Sequence, residues 1–424
     1  MPPISCAGHA CSRAIDLSSV EHVRQQAVEI LVGVLTEGSK ADGLLERAGS
    51  KLADARDRGL LRELVYGVLR RYFSLEADAS RFIQAKPDEY VRLALLVGTY
   101  QIRHLRLPVR AAVHATVEAV KQAKHAKAAG FVNAVLRRVA ASDPPVKLKP
   151  NQRAELPQWL YAAWRDGFGA GKVAEIADIL QSVPPLCVAV LDGDRDGWIE
   201  AVHALGIDAT VGELTAQAVL LPAGTDVAAL PGYADGRFTV MDQAAQYAAL
   251  ALEVRPNDRV LDLCAAPGGK TALLARVHPD TKITALELSA ARLPRLEENL
   301  ARLQVANVSV QQGDATALSF ADGAFDAVLL DAPCSASGVI RRHPDAKFIH
   351  DKASVARHAE LQKRMVAEAL RVLKPGGRLV YAVCSIHPDE NERVVEGLAE
   401  LQSFERLFPG ETHDGFFIAR LIRP

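Results

Sequence analysis

No apolar run in the 424-residue sequence reaches the roughly 18 residues that a membrane helix requires, so a membrane-spanning protein is not expected. The opening stretch, MPPISCAGHACSRAIDLSSV, has neither a basic n-region nor an apolar core, which excludes a secretory leader and points to the cytoplasm. Cysteine is scarce and scattered, at Cys6, Cys11, Cys187, Cys264, Cys334 and Cys384, and such spacing argues against a disulfide framework. His9 between Cys6 and Cys11 has the look of a metal site, but no second pair of ligands follows nearby, so no metal is expected. Internal repeats and low-complexity tracts are absent as well. The net charge of −1 hides an asymmetry. Between Arg103 and Lys149 the chain also carries Arg106, Arg110, Lys121, Lys124, Lys127, Arg137, Arg138 and Lys147, opposed by Glu118 and Asp143 alone. A basic stretch on a nearly neutral protein implies a localised polyanion-binding face.

What is present divides into segments. After a tail over 1–19, residues 20–142 repeat apolar positions three and four apart, as in DRGLLRELVYGVLRRYF and GFVNAVLRRVAA, and read as an all-α bundle. Gly38, Gly43, Pro87, Pro108 and Gly130 supply its stops and turns. Residues 143–231 begin as a proline-bearing linker and continue as a small α+β module with strand-like runs PLCVAVL and AQAVLLPA. From 232 to 424, short apolar strands (RVLDLCA, KITALEL, VSVQQGD, FDAVLLD, GRLVYAVC) alternate with amphipathic helices, and a hairpin closes the chain. That rhythm implies right-handed crossovers and a mainly parallel, Rossmann-like α/β sheet, with ligands beyond the carboxyl ends of its strands.

The first strand of this domain runs into LCAAPGGKT, a Gly-Gly turn ahead of a helix. Glycines admit a ligand close to the backbone, and the helix start offers N–H groups. A P-loop ending at Gly269-Lys270-Thr271 would need glycine at 264, where Cys264 stands, and the dinucleotide G-x-G-x-x-G spacing is missing. Glu287 ends the second strand, about 20 residues on, where a carboxylate commonly takes ribose hydroxyls. Asp314 ends the third candidate strand and Asp331 the fourth. A glycine loop followed by carboxylates at successive strand ends describes an S-adenosylmethionine pocket better than a phosphate site. Cys334 and Cys384 both follow apolar strands, at the sheet edge where chemistry is done. On position alone either thiol is a candidate nucleophile.

With these motifs in view the sequence resembles the Sun/Fmu (RsmB-type) 16S rRNA 5-methylcytidine methyltransferases over nearly its whole length. LDLCAAPGGKT, LLDAPCSASGVIRRHPDAKF and YAVCSIHPDENERVV look like the cofactor loop and two cysteine motifs of RNA cytosine-5 methyltransferases. DRGLLRELVYGVLRR and GFVNAVLRRVA look like a NusB-type helical RNA-binding domain. The resemblance implies cofactor contacts from Cys264, Ala265, Ala266, Pro267, Gly268, Gly269 and Lys270, with Glu287 on the ribose, Asp314 at the adenine end and Asp331 near the reactive centre. It assigns attack to Cys384, product release to Cys334 and cytosine binding to Asp331. Three departures stand out: Leu186-Cys187-Val188-Ala189 where the family often has Leu-Arg-Val-Asn, Met241 in place of a glutamine, and Val383 in place of a threonine.

The chemistry explains the two thiols. Carbon 5 of cytosine is a poor nucleophile until a thiolate adds at carbon 6, and the target must be unpaired or flipped. RNA contacts are expected from Arg103, Arg106, Lys121, Lys124, Arg137 and Arg138, and from Arg341 and Arg342 (with His343 and Lys347) in IRRHPDAKF. The expected partner is 16S rRNA or an early small-subunit particle, met by a monomer without a metal. The rival readings are a DNA or tRNA cytosine-5 methyltransferase, and a NusB-like RNA-binding protein with a vestigial catalytic domain.

Overall fold

The computed structural model describes residues 17–145 and 147–424, so the Cys6–His9–Cys11 cluster lies outside the described residues. The chain divides into one unit ending at Leu148 and a second spanning Lys149–Pro424. In the first unit, helices Leu17–Glu37, Ala41–Gly49, Ala55–Arg70, Tyr72–Ser80, Glu89–His104, Val109–Val120 and Ala129–Ala140 form an all-α bundle. Asp54 and Asp88 cap two of them by accepting backbone N–H groups of Arg56 and Val91. Their apolar faces meet through Leu64, Val65, Leu69, Leu93, Leu95 and Leu136, all fully buried. Two glycines set the spacing. A Cβ on Gly98 would lie 2.5 Å from Leu136 Cδ1, and one on Gly67 would lie 2.0 Å from Tyr100 Cζ.

In the second unit, helices Gln158–Phe168 and Ala170–Leu180 precede a four-stranded antiparallel sheet. Its strands are β1 (Leu186–Val190), β2 (Thr210–Val211), β3 (Ala218–Leu221) and β4 (Phe238–Val240), in the order β2-β3-β1-β4. β4 follows the boundary expected at residue 231, yet it completes this sheet by pairing Val240 with Val188. The variant segment Leu186–Ala189 is β1 itself, and Cys187, Val188 and Ala189 are buried. Burial pushes the Cys187 thiol well up. That strand supplies packing rather than a nucleic-acid contact.

The larger sheet holds β5 (Arg259–Leu263), β6 (Lys282–Glu287), β7 (Val308–Gln312), β8 (Phe325–Asp331), β9 (Leu373–Val383), β10 (Leu401–Leu407) and β11 (Phe416–Ile422). Their order is β10-β11-β9-β8-β5-β6-β7. β5 to β9 run parallel, as the alternation of strands and helices implies, and the hairpin β10–β11 adds antiparallel to β9. The chain winds outward from β5 to β7 and then returns to β8 on the other side of β5. This reversal opens a crevice between the carboxyl ends of β5 and β8.

Gly98→Ala is expected to lower the unfolding free energy by about 1–3 kcal/mol through overpacking. Gly130→Ala, in a helix where the added Cβ meets nothing within 4 Å, serves as the neutral or stabilising control in the same denaturant titration.

Candidate active site

The crevice collects its side chains from four strand ends. Because β8 and β9 are parallel neighbours with Asp331 opposite Ala382, the loops that follow them leave the sheet together. The backbone carries the pairing onward: Ala332 N donates to Ala382 O at 2.9 Å, and Gly338 N to Cys384 O at 3.0 Å. Cys334 Sγ and Cys384 Sγ consequently stand 3.5 Å apart, both partly exposed. The hydrogen bond with Cys384 and burial push the Cys334 thiol far above its usual range, and the charges of Cys384 and Glu390 add to this. Cys334 therefore keeps its proton at neutral pH. Cys264, the third thiol, has a left-handed backbone with φ +64° at the end of β5. Burial, then the charges of Asp331, Glu287 and Asp262, push it up to about 12, which leaves it a poor nucleophile.

Beside the thiols, Lys270 Nζ donates to Asp331 Oδ2 at 2.7 Å and lies 5.5 Å from the centre of the Phe416 ring. Burial alone would weaken the ammonium, but the Asp331 charge and hydrogen bond outweigh it and raise its pKa. Lys270, expected at the cofactor, pairs with Asp331. Deeper in, burial lifts the Asp262 carboxyl to about 7, against the opposing hydrogen bond from Thr271 Oγ1. Asp262, Cys264, Ala265, Ala266, Pro267, Gly269, Lys270 and Asp331 line one cavity, closed by Val240 and Met241.

The other expected cofactor residues lie along the same edge. Gly268 adopts φ +97°, the left-handed region where glycine is favoured, and starts the helix Gly269–Val277. Glu287 is 3% exposed; it accepts from Ala266 N at 3.3 Å and Ser289 N at 3.0 Å, and pairs with Arg292 at 3.1 Å. Asp314 lies two residues beyond the end of β7 rather than on it. It is exposed, and hydrogen bonds from Thr316 N and Oγ1, each at 2.8 Å, hold its carboxyl below the usual range.

Four basic residues expected on RNA are turned inward instead. Arg341 is fully buried: its Nε donates to Asp414 Oδ1 at 3.1 Å, and its Nη atoms to the carbonyls of Glu411 and His413. Arg342 pairs with Asp414 and Asp242 and donates to Pro185 O at 2.9 Å. Arg103 pairs with the buried Asp78 at 2.7 Å and donates to Val139 O. Lys347 is buried too, with Nζ donating to Glu155 O at 2.7 Å. A guanidinium committed to a buried carboxylate and carbonyls leaves its site only at a large energetic cost, so these groups brace the fold. His343, Arg106, Lys121, Lys124, Arg137 and Arg138 are exposed.

Comparison with known proteins puts a family to this geometry. Residues 249–403 match the model for the 16S rRNA methyltransferase RsmB/F family, and residues 21–141 match the NusB family. Ribosomal RNA small subunit methyltransferase B of Shewanella oneidensis is 36% identical over 95% of this chain and 99% of its own length. The protein of the same name from Klebsiella pneumoniae is 35% identical over 95% and 98%. The chain belongs to the RsmB family of rRNA methyltransferases. Among solved structures, PH0851 superposes with a TM-score of 0.79 at 20% identity, covering 96% of this chain and 99% of that one. NSun6 from Pyrococcus horikoshii gives 0.57 at 20% identity over 63% and 98%; both support the fold.

As an RsmB-family enzyme the chain takes its methyl group from S-adenosylmethionine. The crevice suits that group. Ala265, Ala266 and Pro267 present small side chains and Gly269 bare backbone to the cavity, and the fixed Glu287 carboxylate ends the strand beside the loop, where it offers acceptor oxygens. Sequence reasoning did not find Glu390 and Ser385, both fully buried behind the thiols, although both lie within the quoted YAVCSIHPDENERVV.

Arg341→Ala is expected to reduce stability by about 3–5 kcal/mol by leaving Asp414 short of a partner. The salt dependence of RNA binding by the folded protein should stay unchanged; a shallower slope would return Arg341 to the RNA contacts.

Proposed function

We propose that Cys384 of this rRNA cytosine-5 methyltransferase attacks carbon 6 of a cytidine in 16S rRNA, and that Cys334 assists its departure. The observation carrying this reading is the pair of thiols 3.5 Å apart, one of them held protonated, with the Lys270–Asp331 pair alongside. S-adenosylmethionine, when bound by the Cys264–Lys270 loop and Glu287, supplies an electrophilic methyl group.

The chain's own groups divide the remaining work. Cys384, as thiolate, forms the bond to carbon 6, and electron density moves toward carbon 5 and the N3 edge. Asp331 accepts a hydrogen bond from the N4 amino group on that edge, and Lys270 orients the carboxylate while adding positive charge where density gathers. Once carbon 5 has been methylated, a water molecule takes its remaining proton and the C–H electron pair re-forms the double bond between carbons 5 and 6. The bond between carbon 6 and sulfur breaks, with its electron pair returning to Cys384. Cys334, its sulfur 3.5 Å from that of Cys384, donates its S–H to stabilise the departing thiolate.

The helical unit would grip RNA through Arg106, Lys121, Lys124, Arg137 and Arg138, exposed on and around helices Val109–Val120 and Ala129–Ala140. Free 16S rRNA or an early small-subunit particle in the cytoplasm is the substrate we favour, met by a monomer. Basic side chains that face solvent are the type that contacts phosphates, and such binding falls steeply with salt.

Two measurements test this. In a methyl-transfer assay on unmodified 16S rRNA, Cys384→Ala should lose roughly 10³-fold or more of the rate and form no denaturation-resistant protein–RNA species, on the scale of removing a covalent nucleophile. Cys334→Ala should accumulate that species; the reverse pattern would make Cys334 the nucleophile. Separately, Lys124→Ala with Arg138→Ala should make the slope of log binding constant against log salt shallower by about 1–2.

A further inference from the structure

Behind the two thiols lies a buried carboxylate that the reaction as described does not use. Glu390 is fully buried. Its Oε1 accepts from Ser335 N at 2.8 Å, and its Oε2 from the hydroxyls of Ser335 and of Ser385, the latter at 2.6 Å. His358 Nδ1, from the helix Lys352–Val372, stands 3.4 Å from Oε1. Ser335 directly follows Cys334 and Ser385 directly follows Cys384, so one carboxylate holds the residue next to each thiol.

The knot around it is closed by further bonds. Ser337 Oγ and Ser385 Oγ are 2.9 Å apart, Ile386 N donates to Ser337 Oγ at 3.1 Å, and Asn391 Nδ2 donates to Ser385 O at 2.9 Å. Tyr381 Oη, on β9, donates to Glu390 O at 2.6 Å and fixes the carboxylate's own backbone. A buried carboxylate costs free energy unless its lone pairs are filled, and here serines from both loops fill them. Each loop is thereby committed to the same anchor.

We propose that Glu390 is a positioning residue for the release step: by binding Ser335 and Ser385 together it sets the 3.5 Å contact between Cys334 and Cys384. The proposal rests on the division of roles between the two cysteines given above. Glu390 is fully buried and bonds the serines that follow the thiols, so it acts through them. Burial would push its carboxyl up, but the hydrogen bonds from His358, Ser335 and Ser385 outweigh this and hold it below the usual range, so it is anionic at neutral pH. That charge in turn favours the protonated form of Cys334. The titratable groups facing this cluster are Cys384, Tyr381, His358 and His387, and Lys270 acts on Cys384 from the far side.

The test uses the full-length enzyme, unmodified 16S rRNA and S-adenosylmethionine, comparing Glu390→Gln and Ser335→Ala with Cys334→Ala and wild type. Glutamine keeps the shape and removes the charge; Ser335→Ala removes one tether and leaves the carboxylate. The expected result for Glu390→Gln is a kcat about 10–100-fold lower, the scale for groups that orient a reacting side chain, with KM for RNA within about twofold and a denaturation-resistant protein–RNA species at steady state. Ser335→Ala should show a smaller change of the same kind. Loss of the Glu390 charge should also move the alkaline limb of adduct breakdown, where Cys334 loses its proton, to lower pH by about one unit. Wild-type turnover in both variants, or slow turnover without the covalent species, would overturn the proposal. A Cys334→Ala enzyme that traps no adduct would instead overturn the assignment of the cysteines, which that control reads independently of Glu390.

Discussion

The site depends on the adjacency of β8 and β9. Side chains alternate faces along a strand, so a slip of one residue between Asp331 and Ala382 would send Asp331 or the approach to Cys384 to the wrong side of the sheet. Parallel neighbours must be joined by a crossover, here the helix Lys352–Val372, and that helix also serves the site directly. Its Gln362 Nε2 donates to Pro333 O at 2.9 Å and holds the residue before Cys334, while its His358 reaches Glu390. The connection that topology requires is thus also the rear support of both cysteine loops.

Charge bears on which thiol is suited to the proposed attack. Asp262, Asp331, Glu287 and Glu390 crowd the carboxyl edge, and three of those carboxylates help to push Cys264 up to about 12. A thiolate in such surroundings needs a specific donor. Cys384 lies 3.5 Å from the sulfur of Cys334 and is electrostatically coupled to the Lys270 ammonium. The raised pKa of Cys334 fits the releasing role proposed for it, and the 3.5 Å contact between the sulfurs is the geometric basis of the proposed division of work.

The parallel sheet, the helical bundle and the strand-end placement of Cys264, Glu287, Asp331, Cys334 and Cys384 were legible because hydrophobic periodicity and turn residues report local structure directly. The Lys270–Asp331 pair was not, since the two lie 61 positions apart and meet only after β5 and β8 become neighbours. Arg341 and Arg342 misled for a related reason. Their charge is visible in the sequence, but the acceptors that draw them inward, Asp414 and Asp242, are distant in the chain. The same blindness applies to Arg103 and Asp78. Of the family departures, Val383 is fully buried at the end of β9, so a β-branched apolar residue there fits the core without disturbing the thiol that follows.

These inward arginines also hold in place the segment that leads into the closing antiparallel hairpin. Arg341 and Arg342 clamp the segment 411–414, which leads into β11, and Arg342 ties it through Asp242 to the start of the helix Gln243–Leu250. Gly415 N donates to Gly338 O at 2.9 Å, and a Cβ on Gly338 would stand 2.3 Å from Gly415 O, so the hairpin and the Cys334 loop meet backbone to backbone. The next residue is Phe416, whose ring faces Lys270. An ammonium set between a carboxylate and an aromatic face has little freedom to turn elsewhere, and Asp331 keeps one orientation toward the crevice. The basic run in IRRHPDAKF is therefore not spare charge on the surface. Its first two arginines hold the wall against which the Lys270–Asp331 pair is aimed.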